Sequence, residues 1–457
     1  MKKIYMMLAA LLLVSVMACT NGGDNGSSAS SAKAVTAFTL DGVVGTVDEA
    51  GKTIAVTMPF GTVVTALIPT ITLTGASISP SSGVAQDFTA PVDYTVTEAN
   101  GSTEIYTVTV TMQASSLPKT GQTTSYDADD DGEDGDLEPG VAWPDPRFTD
   151  NGDGTISDNL TGLMWTQDGN APGPPGCDTG GPLNTADALN YVACLNANSY
   201  LGYSDWRLPN VNELQSLVHY GESDPAAWLN TQGFSAQSAW YRSSTTNASN
   251  TSQAWVVMMG NGNVFGDGSK LVADRVWPVR DGQFRVVDLP KTGQTTLYDT
   301  GDDGDLEQGV AWPDPRFTTN GDQTITDNLT GLIWSPDGQT WGPGGCPGIG
   351  LTKTWQAALD HVECLNTNSY LGYNDWRLPN VNELKSLLHY AESDSATWLN
   401  THGFTRVQGT VYWSSDTCVA YDPLTTYAWY VRLGDGWVFN DVKATSFCYV
   451  WSVRGGQ

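Results

Sequence analysis

The chain has 457 residues, of which 40% are hydrophobic and 17 are Trp, enough to bury about three cores and too apolar for a disordered acidic tail. Acidic residues outnumber basic ones by 50 to 21, which leaves a formal net charge of −29. Such a surface excludes non-specific binding to nucleic acid or anionic lipid and favours cations as partners.

The first segment reads as an export signal. Lys2 and Lys3 precede an apolar run from Ile4 to Val16, and Met17-Ala18-Cys19 follows. A small residue before Cys is the pattern of a lipoprotein signal peptide, here residues 1–18, which leaves Cys19 to carry the lipid. The run is too short to stay as a membrane-spanning helix. An acylated Cys19 makes the membrane a partner, because each buried methylene contributes about 0.8 kcal/mol. Thr20 follows Cys19, which favours the outer membrane or cell surface as the location. Residues 19–34 are rich in Gly, Ser and Asn and read as a flexible tether.

Residues 35–114 alternate apolar and polar side chains in short runs such as "KTIAVTMPF" and "EIYTVTVTM". Period-two patterning rich in Val, Thr and Ile predicts an all-β antiparallel sandwich. Its pattern resembles the Ig-like or cadherin-like modules of bacterial surface lipoproteins, which implies a spacer.

From Leu117 the chain repeats itself, over 117–284 and 289–457. Residues Asn198 to Phe234 differ from Asn368 to Phe404 at only 7 of 37 positions. Two such copies predict a tandem of globular domains and not a solenoid. Each copy opens on "LPKTGQTT", at Leu117 and Leu289. The first five letters fit a sortase signal, but no apolar segment and basic tail follow, so they read as the opening turn of a module. "PRFTDNGDGTISDNLTGLMW" then predicts a small β meander, "TADALNYVACL" a helix, and "DWRLPNVNELQSLVHY" a second helix with Asn210 and Glu213 as a capping box. "AWVVMMGNGNVFG" and "VWPVRDG" predict closing strands. Two helices among hairpins make each copy an α+β domain.

Seven cysteines, with Cys19 given to lipid, leave six for an oxidising compartment. Cys177 and Cys194 stand where Cys346 and Cys364 stand in the second copy, which predicts one disulfide per repeat. Cys418 and Cys448 occur only in the second copy, with Asn247 and Asp274 in their places in the first, and are expected to form a third.

"DNGDGTISDNLTGLMW", "DWRLPNVNELQSL", "YWSSDT", "AWYVRLGDGWVF" and "VRGG" occur in that order. The repeats carrying them resemble the domain family named for the C-terminal region of the Legionella collagen-like adhesin. Trp206-Arg207-Leu208-Pro209 with Glu213 is also similar to a segment of the formylglycine-generating enzyme superfamily. Both resemblances imply a C-type-lectin-like fold, and the adhesin relationship implies adhesion and carbohydrate binding at the cell surface.

The acidic runs are the strongest polar signal. Asp127, Asp129, Asp131, Asp134 and Asp136 in the first copy, and Asp299, Asp302, Asp303 and Asp305 in the second, are spaced around glycines in a way that lets hard oxygens wrap calcium. A solvated acidic turn explains the same residues, since neither run has the EF-hand spacing. "DNGDG" reads as a hairpin turn more readily than as a calcium loop. His219 and His389 match between copies and read as helix-terminal residues acting on the helix dipole. Ser243-Ser244 and Ser414-Ser415 lack a nucleophile elbow.

For a sugar, the second copy offers Trp413, Tyr430, Arg432, Asp435 and Trp437 in or beside its last strands. Alternation places Tyr430 and Arg432 on one face and Trp429, Val431 and Leu433 on the other. No Glu-Pro-Asn or Gln-Pro-Asp triplet is present, so the calcium-dependent sugar site of animal C-type lectins does not carry over. A sulfated polyanion would meet repulsion from these acidic domains unless calcium reversed the local sign. The sequence thus predicts a lipid-anchored, non-enzymatic adhesin for polysaccharide or a surface protein. An enzyme on the formylglycine-generating scaffold and a purely structural envelope protein are the alternatives.

Overall fold

The computed structural model describes residues 33–40, 43–58, 64–112, 117–127, 129–132, 139–282, 286–346, 352–420 and 425–455. Cys19 and most of its tether lie outside the described residues, as do Asp134 and Asp136. Two compact units form, one from residues 33–56 and 64–110 and the other from residue 117 onward. No helix among the described residues is long and apolar enough to cross a membrane.

Period-two patterning builds the first unit. In Thr53–Met58 every second side chain is buried. Val43–Val44, Val35–Leu40 and Pro69–Leu73 form one sheet, in that order. Thr46–Asp48, Thr53–Met58, Thr103–Met112, Val92–Thr97 and Ser77–Ser79 form a second. Phe38 of the first meets Tyr94 of the second edge to face at 5.7 Å, and Leu40, Ile54, Val96 and Val108 are buried with them.

The second unit holds both repeats. In the first repeat Phe148–Asp150, Thr155–Asp158 and Leu163–Thr166 form the expected meander, which Val279–Asp281 closes from the far end of the repeat. Phe317–Thr319, Ile325–Asp327, Ile333–Trp334 and Val453–Arg454 do the same in the second. Besides a single turn at Asp303–Leu306, the helices are α1 (Thr185–Ala197), α2 (Val211–Ser216) and α3 (Pro225–Thr231), then α4 (Trp355–Thr367), α5 (Val381–Ser386) and α6 (Ser395–Thr401). The remaining strands are β1 (Trp240–Thr246), β2 (Gln253–Met258) and β3 (Val264–Ser269), then β4 (Val411–Cys418), β5 (Tyr427–Arg432) and β6 (Val438–Val442).

The start of α2 shows why its sequence is so polar. Asn210 and Glu213 form the capping box, and the Glu213 carboxylate also takes two N–H groups of Arg207 at 2.6 and 2.7 Å. Arg207 reaches on to Asp281 at 2.9 Å, which ties the helix to the closing strand. Arg377, Asn380 and Glu383 repeat the arrangement, with Arg377 donating to the Gly455 carbonyl at 2.8 Å.

The two repeats are joined into one sheet, of strand order β1-β2-β3-β6-β5-β4. The seam is the pairing of Val264 with Val438, the same position in each copy, so a local two-fold axis passes there. Around it Tyr220 sets its edge on Trp429 at 5.1 Å and Tyr390 sets its edge on Trp255 at 4.9 Å. Lys385 donates to the Tyr220 hydroxyl and Gln215, its counterpart, to that of Tyr390, both at 3.0 Å.

The opening segments cross this axis. Thr120 O accepts from Tyr220 of its own repeat. Beyond it Gln122 accepts from Thr417 N at 2.9 Å, Asp127 pairs with Lys443 at 3.0 Å, and Asp131 N donates to Ser415 O at 3.2 Å, all in the other repeat. The second strap mirrors the first: Gln294 accepts from Thr246 N at 3.0 Å, Asp299 pairs with Lys270 at 2.7 Å, and Asp303 accepts from Thr245 Oγ1 at 2.7 Å. Gly121 of "LPKTG" makes the start of the first strap, because a Cβ there would sit 2.8 Å from the His219 ring. At Gly293 the gap to His389 would be 2.7 Å.

Cys177–Cys194 and Cys346–Cys364 are bonded, one disulfide in each repeat. The expected third one, between Cys418 and Cys448, is not made, and both remain as buried thiols. Tyr449 bridges to Tyr412, six residues down β4 from Cys418. At ~3.3 Å per strand residue the thiols stand roughly 20 Å apart along the sheet, whereas a disulfide needs Cα atoms within about 7 Å. A thiol titration of the unreduced, unfolded chain from residue 33 should therefore count two thiols, and a count of zero would restore the third bridge.

Asp131 and its neighbour across the axis, Asp416, are fully buried, lie within hydrogen-bond reach of each other, and are raised by that burial, Asp416 to about 6. One Oδ1 of each finds no donor while both are ionised, so a proton held between them satisfies the pair. Glu383 faces Asp131, and Lys385 faces Asp416. A carboxyl whose folded pKa is raised binds its proton more tightly in the folded state, so it stabilises the fold at low pH and loses that contribution as pH rises through the folded value. Between pH 4.5 and 6.5 the urea midpoint of Asp416→Asn should gain steadily on that of the unsubstituted chain, and parallel profiles would show that no proton is shared.

Candidate functional site

Alternation along β5 separates two faces as the sequence indicates. Trp429, Val431 and Leu433 are buried in the core shared with α2 and α5, while Tyr430 and Arg432 are half-buried on the opposite, outer face. The turn after β5 brings Asp435 back onto Arg432 as a paired fork. Trp437 follows, and the Arg432 guanidinium lies over its ring at 4.2 Å. Tyr430, Arg432, Asp435 and Trp437 therefore form one cluster at the accessible side of the sheet.

Trp413 leaves this set. It pairs with Tyr430 across the strands and shares the outer face, but α4 and the segment before it cover that end. Its Nε1 donates to Lys353 O at 2.8 Å, and Trp355 of α4 donates to Ser414 O at 2.7 Å. Trp413 is wholly buried and presents no face to a ligand.

Three rings absent from the sequence-based set complete the open face. Phe265 of β3 lies edge-on to Trp437 at 4.5 Å and 5.5 Å from Phe439 of β6. Trp240 of β1 stands 5.4 Å from Phe265. The signal that could have found them is the copy-to-copy offset of 174 in the last strands, which aligns Phe265 with Phe439.

The acidic candidates are otherwise engaged. Asp127 and Asp299 each hold a lysine of the other repeat, and Asp131 and Asp303 are buried in the strap contacts. Asp302 accepts from the Tyr298, Asp299 and Asp305 N–H groups at 3.0 Å, and Asp305 from Gly301 N at 2.8 Å. Asp129 is exposed, with a left-handed backbone at φ 65°. Among the described residues no three acids, histidines or cysteines gather into a metal-binding group. In "DNGDG", Asp150 accepts from Gly152 N and Asp153 from Thr155 N, at 2.8 and 3.0 Å, which is a turn.

His219 and His389 do not act on a helix dipole as cations. His219 lies past the end of α2, edge-on to Trp143 at 4.9 Å and to Trp228 at 4.6 Å, and burial with the nearby Arg147 charge lowers its pKa to about 4. His389 sits the same way against Trp312 and Trp398, also lowered to about 4. Both serve as neutral packing rings. Ser243 and Ser414 are buried and donate to the Trp255 and Trp429 carbonyls.

A family model described as the Lcl C-terminal domain matches residues 154–280 and again 323–454. A second, described as SGBP, N-terminal, matches residues 35–110. No curated protein matches. Among solved structures, a chain from Bacteroides thetaiotaomicron named a "putative glycoside hydrolase" is 32% identical over 23% of this chain, with a TM-score of 0.18. A secreted protein from Bacteroides fragilis is 21% identical over 18% of this chain and 92% of its own, with a TM-score of 0.14. This chain spans 32% of the length of the first.

The C2–H proton resonances of His219 and His389 should stay flat from pH 8 to pH 5 and move only near pH 4. Titration of both near pH 6.5 would place the rings in solvent instead.

Proposed function

The chain belongs to the Lcl C-terminal domain family, and from that membership we propose that it is a cell-surface carbohydrate binder and not an enzyme. The SGBP match, to a domain of surface glycan-binding proteins, supports the same reading. The observation that carries it is the outer-face cluster of Trp437, Tyr430, Arg432 and Asp435. A sugar stacks its C–H face on an aromatic ring and gives its hydroxyls to planar polar groups, and this cluster offers both within one turn of chain.

In this reading the first unit is an Ig-like spacer, each repeat is a C-type-lectin-like module, and a lipid on Cys19 holds the protein at the outer membrane. The enzyme alternative has little support: the two thiols are far apart along the sheet, and the paired serines are buried, with Ser243 and Ser414 donating to backbone carbonyls. Calcium enters as an arm of the test, since Asp127, Asp131, Asp299, Asp302, Asp303 and Asp305 are turned onto lysines, hydroxyls and backbone N–H groups.

Calorimetric titration of the chain from residue 33 with neutral and with sulfated polysaccharides, in calcium and in chelator, checks the proposal. Saturable binding to a neutral polysaccharide, weakened at least about tenfold by Trp437→Ala, is expected. Binding to none of the panel sinks it in favour of a protein ligand or a structural role.

A further inference from the structure

We propose that the two repeats share a single carbohydrate platform, laid across the seam between them, instead of carrying one site each. The inference rests on the glycan-binding reading above and concerns where and how the glycan is held.

The outer face of the six-stranded sheet is covered at both ends. α4 closes the end at Trp413 and Ala428, and the segment Ser269 to Asp274 closes the other around buried Arg242, which donates to the Gly268 and Ser269 carbonyls at 3.0 Å. Between them lies an open stretch centred on the pairing of Val264 with Val438. Five half-buried rings fill it: Trp240 and Phe265 from the first repeat, Trp437, Phe439 and Tyr430 from the second. The contacts are continuous through Phe265, which meets Trp240 at 5.4 Å, Trp437 at 4.5 Å and Phe439 at 5.5 Å, and Phe439 meets Tyr430 at 6.2 Å.

Neither copy holds this row by itself. Where the first repeat has Trp240, the second has Val411; where the second has Tyr430 and Trp437, the first has Val256 and Asn263. The rings have diverged to complementary positions on either side of the axis, and only the joined sheet makes them contiguous. From β1 to β5 is four strand spacings, roughly 19 Å, a length that suits a chain of several sugars and not a monosaccharide. Arg432 and Asp435 beside the rings neutralise each other, Asp441 adds a negative charge next to Tyr430, and the protein's net charge of −29 further disfavours a polyanion, so the occupant is a neutral polysaccharide.

The other copy supplies substitutions the fold already accepts. Trp240→Val and Trp437→Asn install the residues found at the matching positions, and thermal melts of both should stay within a few degrees of the parent. Titrated with the neutral polysaccharide that binds best, and with short oligosaccharides cut from it, the parent chain should bind one polymer site per molecule and lose affinity steeply as the oligosaccharide shortens. Each substitution should weaken polymer binding about tenfold. If Trp240→Val leaves affinity unchanged while Trp437→Asn removes it, or if two equal sites are counted, the shared platform is wrong and the glycan reading stands. If no polysaccharide binds the parent chain, both fall.

Discussion

Strap exchange holds the C-terminal unit together. Each repeat sends its opening segment across the two-fold axis, and the last strands of either copy are completed by backbone and side chains that belong, in sequence, to the other. Asp303 meets Thr245 and Asp131 meets Asp416 at the ends of these straps, where burial makes every unpaired oxygen costly. The seam itself is a single residue pair, which alone is too little to align two domains. Straps, edge-on tyrosines and the central pairing together fix the register of the six strands, and that register decides which rings become neighbours on the outer face.

Near-symmetry of the frame throws its asymmetries into relief. Thr245 and Asp416 occupy one position in the two copies, so one strap is held by a hydroxyl and the other by a carboxyl whose burial raises its pKa. Gln215 and Lys385 likewise face equivalent tyrosines with different charge. Divergence at these positions lies near the axis, where a change in one copy is felt by both. On the outer face it has redistributed aromatic side chains, while the inner core positions Trp255 and Trp429 remain matched.

Local features were legible in the sequence because local physics makes them. The capping box at Asn210 and Glu213, the alternation along "AWYVRLGDGW", and the disulfides from Cys177 and Cys346 each depend on residues close in the chain. What escaped was non-local. Asp131 and Asp303 look like solvated or cation-binding carboxylates until the other repeat is laid over them, and nothing in a pair of near-identical copies tells which one a strap will join. Cys418 and Cys448 look like partners because both are missing from the first copy, yet Cys418 ends β4 while Cys448 lies beside its start. Phe265 and Trp240 carry no such signal, because the first copy, read alone, lacks the second's aromatic turn.

Covalent linkage changes the meaning of an interface of this kind. Two separate chains that exchanged such segments would form their joint sheet only above a threshold concentration, and would come apart on dilution. Here the partner is always present at the effective concentration that the chain itself sets. The sheet, and any surface built on it, therefore persists at one molecule as it does at many, so a sparsely displayed copy is as complete as a crowded one.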